Sequence, residues 1–283
     1  MKKLFIAGMA VAELIGGPAM AADMRPPPPP VEYFTWTGGY VGVNLGGGWR
    51  QPANFVTTMP SCTNLATCLI VDPDTGLASS LGTGPSTRGK GMTGGFQGGY
   101  NYQIGAAVVG VEFDWEYFKR TSFLAKTGIM AADGEAGLPI TATNDVTSTW
   151  LATVRGRLGY AWDRLLVYAT GGVAFTDVRY AQTIATPFFG GTAINVVTQT
   201  KSGGTVGAGA EYALWNHLTV RAEYLYAQFS GVTETGVLSG PSTAPPPAFF
   251  TNVFTGSTGT LRDHIVRIGL NYKFTYGGAV GSY

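Results

Sequence analysis

Charge is scarce in this chain. Asp, Glu, Lys and Arg together supply 12% of its 283 residues, where a soluble globular domain carries ~25%. The 18 basic and 17 acidic residues nearly cancel, which excludes the basic footprint that a nucleic-acid backbone requires. Histidine is limited to His217 and His264 and cysteine to Cys62 and Cys68, too dispersed for the four clustered ligands of a structural zinc site. Long apolar runs are missing too: past residue 21, no uninterrupted stretch reaches the ~18 residues of a spanning helix. A membrane is then crossed only with strands. What the chain has in quantity is glycine (42), phenylalanine (15) and tyrosine (14), a balance suited to strands that face lipid.

The first residues, Met1-Lys2-Lys3, lead into a mostly apolar run and the small-residue triplet Ala19-Met20-Ala21. Residues 1–21 read as a secretory signal peptide cleaved after Ala21, although Glu13 interrupts its apolar part. Loss of Lys2, Lys3 and Glu13 leaves a formally neutral chain. Export places Cys62 and Cys68 in an oxidising compartment, and a disulfide across the five intervening residues is expected. Residues 22–33 hold the proline run Pro26 to Pro30, which favours polyproline II and reads as a semi-rigid periplasmic tether.

From residue 34 onward the pattern is period two. Along 218–230, Leu218, Val220, Ala222, Tyr224 and Tyr226 alternate with Thr219, Arg221 and Glu223, so one face is greasy and the other polar. Residues 262–274, 148–161 and 106–118 repeat the pattern, and weaker glycine-rich copies occur at 34–49, 93–102, 165–180 and 202–214. Eight strands are expected. Three connections are tight, at 103–105, 162–164 and 215–217, and four are long, at 50–91, 120–146, 181–201 and 231–261. Alternation of short and long connections with an even strand number is the pattern of an outer-membrane up-and-down β-barrel, with short turns periplasmic and long loops outside. The barrel is expected over residues 34–274, with 275–283 as a C-terminal extension.

All six tryptophans fall at expected strand ends. Trp36, Trp162 and Trp215 lie on the periplasmic side and Trp49, Trp115 and Trp150 on the outer side, a distribution that reads as two aromatic girdles. The polar faces point into the barrel and carry balanced charge: Glu112, Asp114, Glu116, Glu211 and Glu223 against Arg155, Arg157, Arg221, Arg267 and Lys273. The turn 215–217 sets Glu211 opposite Arg221, and a hairpin closing near Lys119 and Thr147 sets Glu112 or Asp114 opposite Arg155. An eight-stranded barrel is only wide enough for side chains to fill, so these groups are expected to form ion pairs in the interior.

Five strings carry a resemblance: Trp36-Thr37-Gly38-Gly39-Tyr40-Val41-Gly42-Val43-Asn44, Thr170-Gly171-Gly172-Val173-Ala174-Phe175, Val206-Gly207-Ala208-Gly209-Ala210-Glu211-Tyr212-Ala213-Leu214, Arg221-Ala222-Glu223-Tyr224-Leu225-Tyr226 and Arg267-Ile268-Gly269-Leu270-Asn271-Tyr272-Lys273-Phe274. Together they resemble the alphaproteobacterial major outer-membrane protein family, which includes immunogenic surface antigens and haemin-binding members. The resemblance implies an OmpA-like eight-stranded barrel and a porin-family surface antigen of the cell envelope. The family usually ends at the aromatic of Asn-Tyr-Lys-Phe, whereas here residues 275–283 follow Phe274. The signal for the outer-membrane assembly machinery is therefore internal, or Tyr283 replaces it.

Other chemistry was weighed. Gly89, Gly91 and Gly94 match Gly-x-Gly-x-x-Gly, but the match opens a strand pattern and not a helix, so a dinucleotide site is not expected. His264 as a general base resembles that of the outer-membrane lipid deacylases only weakly, because the serine two residues after their histidine is here Val266. Haemin, which the resemblance implies for some relatives, would draw on His264 or a loop tyrosine such as Tyr180. The expected function is a non-enzymatic structural barrel contributing to envelope integrity and surface display, with a haemin-binding or narrow-pore barrel as the alternative. Its expected partners are outer-membrane lipid, lipopolysaccharide, peptidoglycan and the assembly machinery, with no nucleic acid and no resident cofactor or metal.

Overall fold

The computed structural model describes residues 34–62, 69–71, 80–131, 138–186, 191–241 and 249–274. The expected signal peptide, the proline tether, Cys68 and the extension 275–283 lie outside the described residues. Thirteen strands are assigned: β1 (Gly38–Arg50), β2 (Asn54–Cys62), β3 (Leu69–Val71), β4 (Ser80–Pro85), β5 (Lys90–Ile104), β6 (Ala107–Ala131), β7 (Leu138–Trp162), β8 (Leu165–Thr186), β9 (Gly191–Ala213), β10 (Leu218–Phe229), β11 (Thr233–Pro241), β12 (Phe249–Thr258) and β13 (Leu261–Lys273).

Eight of them close a ring of antiparallel neighbours in the order β1, β5, β6, β7, β8, β9, β10, β13, with β13 paired back onto β1. Each ring strand alternates as the sequence does: along β13 every second residue from Leu261 to Lys273 is buried and those between face out. Two of the three tight turns close through left-handed residues, Gly105 at φ 61° and Asp163 at φ 49°, a conformation two-residue hairpin loops select for.

The ring strands run well past the apolar band. Residues 120–146 and 181–201, expected as loops, are largely paired strand, and the hairpin expected to close near Lys119 and Thr147 continues across a bulge to the pair Met130 and Leu138. The stretches expected as the other two long loops contain β2, β3, β4, β11 and β12. Strands β11, β12, β2 and β4 form a second four-stranded sheet.

Above the band the faces exchange character. Within the band, Val109, Val111, Phe113, Trp115 and Tyr117 on β6 point outward and Glu112, Asp114 and Glu116 inward. Higher up, Ile140, Ala142 and Val146 on β7 are buried while Thr141, Thr143 and Thr147 face out. Phe55, Leu124, Val146, Val178, Tyr180, Phe229 and Val232 form an apolar core there, to which the second sheet contributes Phe55. The membrane part is thus polar inside and greasy outside, and the extracellular part has the arrangement of a water-soluble sandwich.

Candidate functional site

The candidate site is the barrel interior, which side chains fill in three layers. At the periplasmic end Trp36 is 1% exposed. It packs with Phe34, Val108, Ala161, Leu166, Tyr168 and Ala213, and its indole N–H donates to the Asp163 carbonyl at 3.0 Å. This corrects its assignment to the lipid-facing girdle. Trp36 precedes β1 but shares the inward parity of Gly38 and Tyr40, so its ring enters the mouth instead of facing lipid.

The other five tryptophans stay on the outer surface. Trp162 and Trp215 are 57% and 66% exposed, and Trp115 is 37% exposed. Trp49 and Trp150 are half-buried. Trp115 stacks on Phe96 with centroids 5.7 Å apart, and Trp49 stacks on His264 at 5.3 Å.

The middle layer is ionic. Arg155 reaches Glu112 at 2.5 Å, Asp114 at 2.7 Å and Glu223 at 3.0 Å. Arg267 reaches Glu223 at 2.6 Å, Asp114 at 3.1 Å and Glu116 at 3.5 Å. Arg221 pairs with Glu112, which also accepts from the Tyr40 hydroxyl at 2.6 Å. Thr153 and Thr93 donate to Asp114 and Glu116 at 2.6 and 2.5 Å. Below them Arg157 pairs with Glu211, and its guanidinium lies 3.5 Å over the Tyr168 ring.

Register explains some of these pairs and not others. Glu112 and Arg155 are cross-strand partners and do pair. Glu211 and Arg221 are also cross-strand partners, but Glu211 pairs with Arg157, two strands away, and Arg221 pairs with Glu112 across the barrel and with Glu223 on its own strand at 3.7 Å. In a bore this narrow the opposite wall is within reach of a guanidinium, so adjacency in the sheet does not choose the partner. Lys273 stands apart: its ammonium donates to the Thr35 carbonyl and lies 4.9 Å from the Phe34 ring, at the periplasmic mouth.

Sequence reasoning missed a second ionic cluster at the outer end of the bore. Arg50 donates to Asp263 at 2.8 Å and Arg120 donates to it at 2.9 Å, all three buried; Arg50 also donates to Ser148, and Arg120 to Thr176 and the Phe118 carbonyl. Their positions in the alternation carried the signal, since Asp263 and Arg267 share a parity on β13. Arg50 and Arg120 were hidden because they sit where loops were expected to begin.

Space for these long side chains comes from inward-facing glycines. A Cβ on Gly46 would lie 2.7 Å from the Arg267 Cα, and one on Gly172 equally close to the Arg155 Cα. The glycine-rich strands therefore face the charge-bearing strands across the ladder.

Of the remaining candidates, Tyr180 lies on β8 and not in a loop; it is fully buried and its hydroxyl donates to Asn144 at 2.6 Å. Burial, and then the Glu234 carboxylate, push its phenol above the usual range, which disfavours the phenolate form. His264 faces outward, with Nδ1 2.6 Å from the Tyr224 hydroxyl and Nε2 2.8 Å from the Gln51 amide. Cys62 ends β2; its expected partner Cys68 lies outside the described residues. No cluster of His, Cys, Asp and Glu fit to hold a metal is found among the described residues.

Comparison with known proteins agrees with this geometry. Residues 9–274 match the model of the outer membrane protein beta-barrel domain. The 31 kDa outer-membrane immunogenic protein of Brucella melitensis biotype 1 is 35% identical over 97% of this chain and 100% of its own length. The 25 kDa outer-membrane immunogenic protein of Brucella canis is 25% identical over 97% of this chain and 99% of its own. Among solved structures, Neisserial surface protein A aligns at a TM-score of 0.32 with 12% identity, covering 84% of this chain and 98% of that one. With the family model covering nearly the whole barrel and the Brucella relatives aligned from end to end, the chain belongs to the outer-membrane β-barrel family of alphaproteobacterial immunogenic proteins and resides in the bacterial outer membrane.

Proposed function

We propose that the protein is a structural component of the outer membrane, not an enzyme, and that it contributes to envelope integrity and carries its extracellular sandwich as a displayed surface. The observation that supports this reading most directly is the filled bore: six carboxylates and six guanidinium groups are buried in it, with Trp36 below and an apolar core above. A barrel built for flux would keep that space for water. The Brucella relatives are named as immunogenic outer-membrane proteins, which fits a displayed surface. The proposed partners are membrane lipid and lipopolysaccharide around the barrel, the assembly machinery during insertion, and peptidoglycan through the periplasmic residues 22–33.

An epitope tag inserted within residues 242–248, between β11 and β12, tests display. It is expected to be detected on intact cells; detection only after outer-membrane permeabilisation overturns the reading. Deletion of the gene is expected to raise sensitivity to bile-type detergents, restored by wild-type protein. Unchanged sensitivity, or a Soret shift when haemin is added to the purified protein, favours another function.

A further inference from the structure

At the upper edge of the apolar band, one wall of the barrel turns cationic. Moving outward along the lipid-facing side, Tyr117 gives way to Lys119 on β6, Met92 to Lys90 on β5 and His264 to Arg262 on β13; the three cations are exposed. They are neighbours. Trp49 on β1 is the register partner of both Lys90 and His264, and the backbone carbonyl of Lys119 lies against Gly91, beside Lys90. Three inter-strand spacings of ~4.8 Å, with an offset of four residues along the strands, put Arg262 and Lys119 about 20 Å apart and Lys90 between them.

Their charge is uncancelled within the wall. The acidic residues of β6 and β13, Glu112, Asp114, Glu116 and Asp263, all point inward and are held by arginines, and described β1 and β5 contain none. The opposite wall differs: Arg179 on β8 has Asp177 two residues before it and is the register partner of Thr147, whose hydroxyl donates to Asp145. Beneath the cations, about 13–20 Å along the strands from the level of Lys90, Val43, Leu45, Val220, Ile268 and Leu270 border an apolar groove of about 290 Å³. The rim between is rigid, since Trp49 stacks on His264, and Tyr224 and Gln51 hold both of its ring nitrogens.

We propose that Arg262, Lys90 and Lys119 bind the anionic headgroup of a lipopolysaccharide molecule in the outer leaflet, with one acyl chain in the groove between β1 and β13. This names a partner within the proposed structural role and rests on the long-strand end being extracellular. Charge at the headgroup level together with an apolar slot one acyl length below is a combination that a free anion does not need.

The test uses full-length protein refolded in neutral maltoside micelles and titrated with purified rough lipopolysaccharide. Replacing the trio together, as Lys90→Gln, Lys119→Gln and Arg262→Gln, is expected to weaken binding on the order of a hundredfold, since each near-surface cation contributes a factor of about five. Arg179→Gln on the opposite wall is expected to leave affinity unchanged, and Lys90→Arg with Lys119→Arg to preserve it. Folding of each variant is checked by its β-sheet circular dichroism. Unchanged affinity in the trio variant, an equal loss in Arg179→Gln, or equal binding of phosphatidylcholine overturns the proposal. Full competition by millimolar inorganic phosphate overturns the lipid assignment in favour of a free-anion site. A failure here with the tag still detected on intact cells rejects the lipid site alone and leaves surface display standing.

Discussion

Arg155 is, with Arg267, one of two cations on which at least three mid-bore carboxylates converge; those of Arg155 are Glu112, Asp114 and Glu223. Taking such charges out of water costs several kcal/mol per ion, and only their mutual pairing offsets it. Arg155→Ala removes one guanidinium and leaves its carboxylates short of positive charge in a bore without room to rearrange. The expected loss is about 3–5 kcal/mol, measured by urea unfolding of the refolded protein in micelles. Lys273→Met, at the mouth and bonded to a backbone carbonyl, is expected to cost about 1.5 kcal/mol or less in the same assay. Equal losses in the two variants would show that the network does not depend on its central arginine. A backbone position makes the same argument from space: the Cβ of Gly46→Ala would lie 2.7 Å from the Arg267 Cα, whereas the nearest atom to one on outward-facing Gly171 is 3.9 Å away. Gly46→Ala is expected to destabilise by about 1–3 kcal/mol through overpacking, and Gly171→Ala to be tolerated.

The extracellular sandwich has its own core, so its stability separates from that of the membrane band. Phe55 on β2 is fully buried and stacks on Tyr180 with centroids 6.2 Å apart. Phe55→Ala is expected to cost about 3–5 kcal/mol. The loss should appear as faster protease cleavage of the extracellular strands on intact cells, while the barrel keeps its folded gel mobility. Cleavage unchanged from wild type would mean that the second sheet does not depend on this core. These upper strands were the least legible part of the sequence. The eight ring strands could be read because a greasy outward face alternates with a charged inward one. Past Lys119 that contrast is lost: the buried face mixes Leu124, Ala142 and Val146 with Ser122, Asn144 and Gln182, and threonines turn outward as hydroxyl pairs such as Thr121 with Thr147 at 3.0 Å and Thr127 with Thr141 at 3.1 Å. A threonine-rich stretch read with the membrane rule resembles a loop, although its period-two alternation is intact. Arg50 and Arg120 were lost for the same reason, and Trp36 was misplaced because a strand-end position was read as a girdle position, although it shares the inward parity of Gly38 and Tyr40. The mid-bore charges were legible because eight strands leave a polar face no destination but the interior, whereas the choice of partner across the bore depends on three-dimensional reach.

At the scale of the molecule the three fillings lie in series along one axis. An ion entering from the periplasm meets the buried indole of Trp36, then the balanced layer of arginines and carboxylates, then the apolar core under the second sheet. Each blocks passage in a different way: by volume, by a packed layer of paired charges, and by exclusion of water. Purified protein in a planar bilayer is therefore expected to give no steady porin-scale conductance. The serial arrangement also makes a sharper claim about variants. Trp36→Ala opens the periplasmic mouth and Arg155→Ala loosens the middle, but the apolar layer above depends on neither, so the double variant Trp36→Ala/Arg155→Ala is expected to stay closed as well. Substituting the upper core in addition, as Phe55→Ala with Val146→Ala, is expected to produce flickering currents, because only then does a continuous wettable path exist. Steady conductance from wild type, or from Trp36→Ala alone, would mean that the interior layers part from one another in the membrane and that the barrel belongs with the transport proteins.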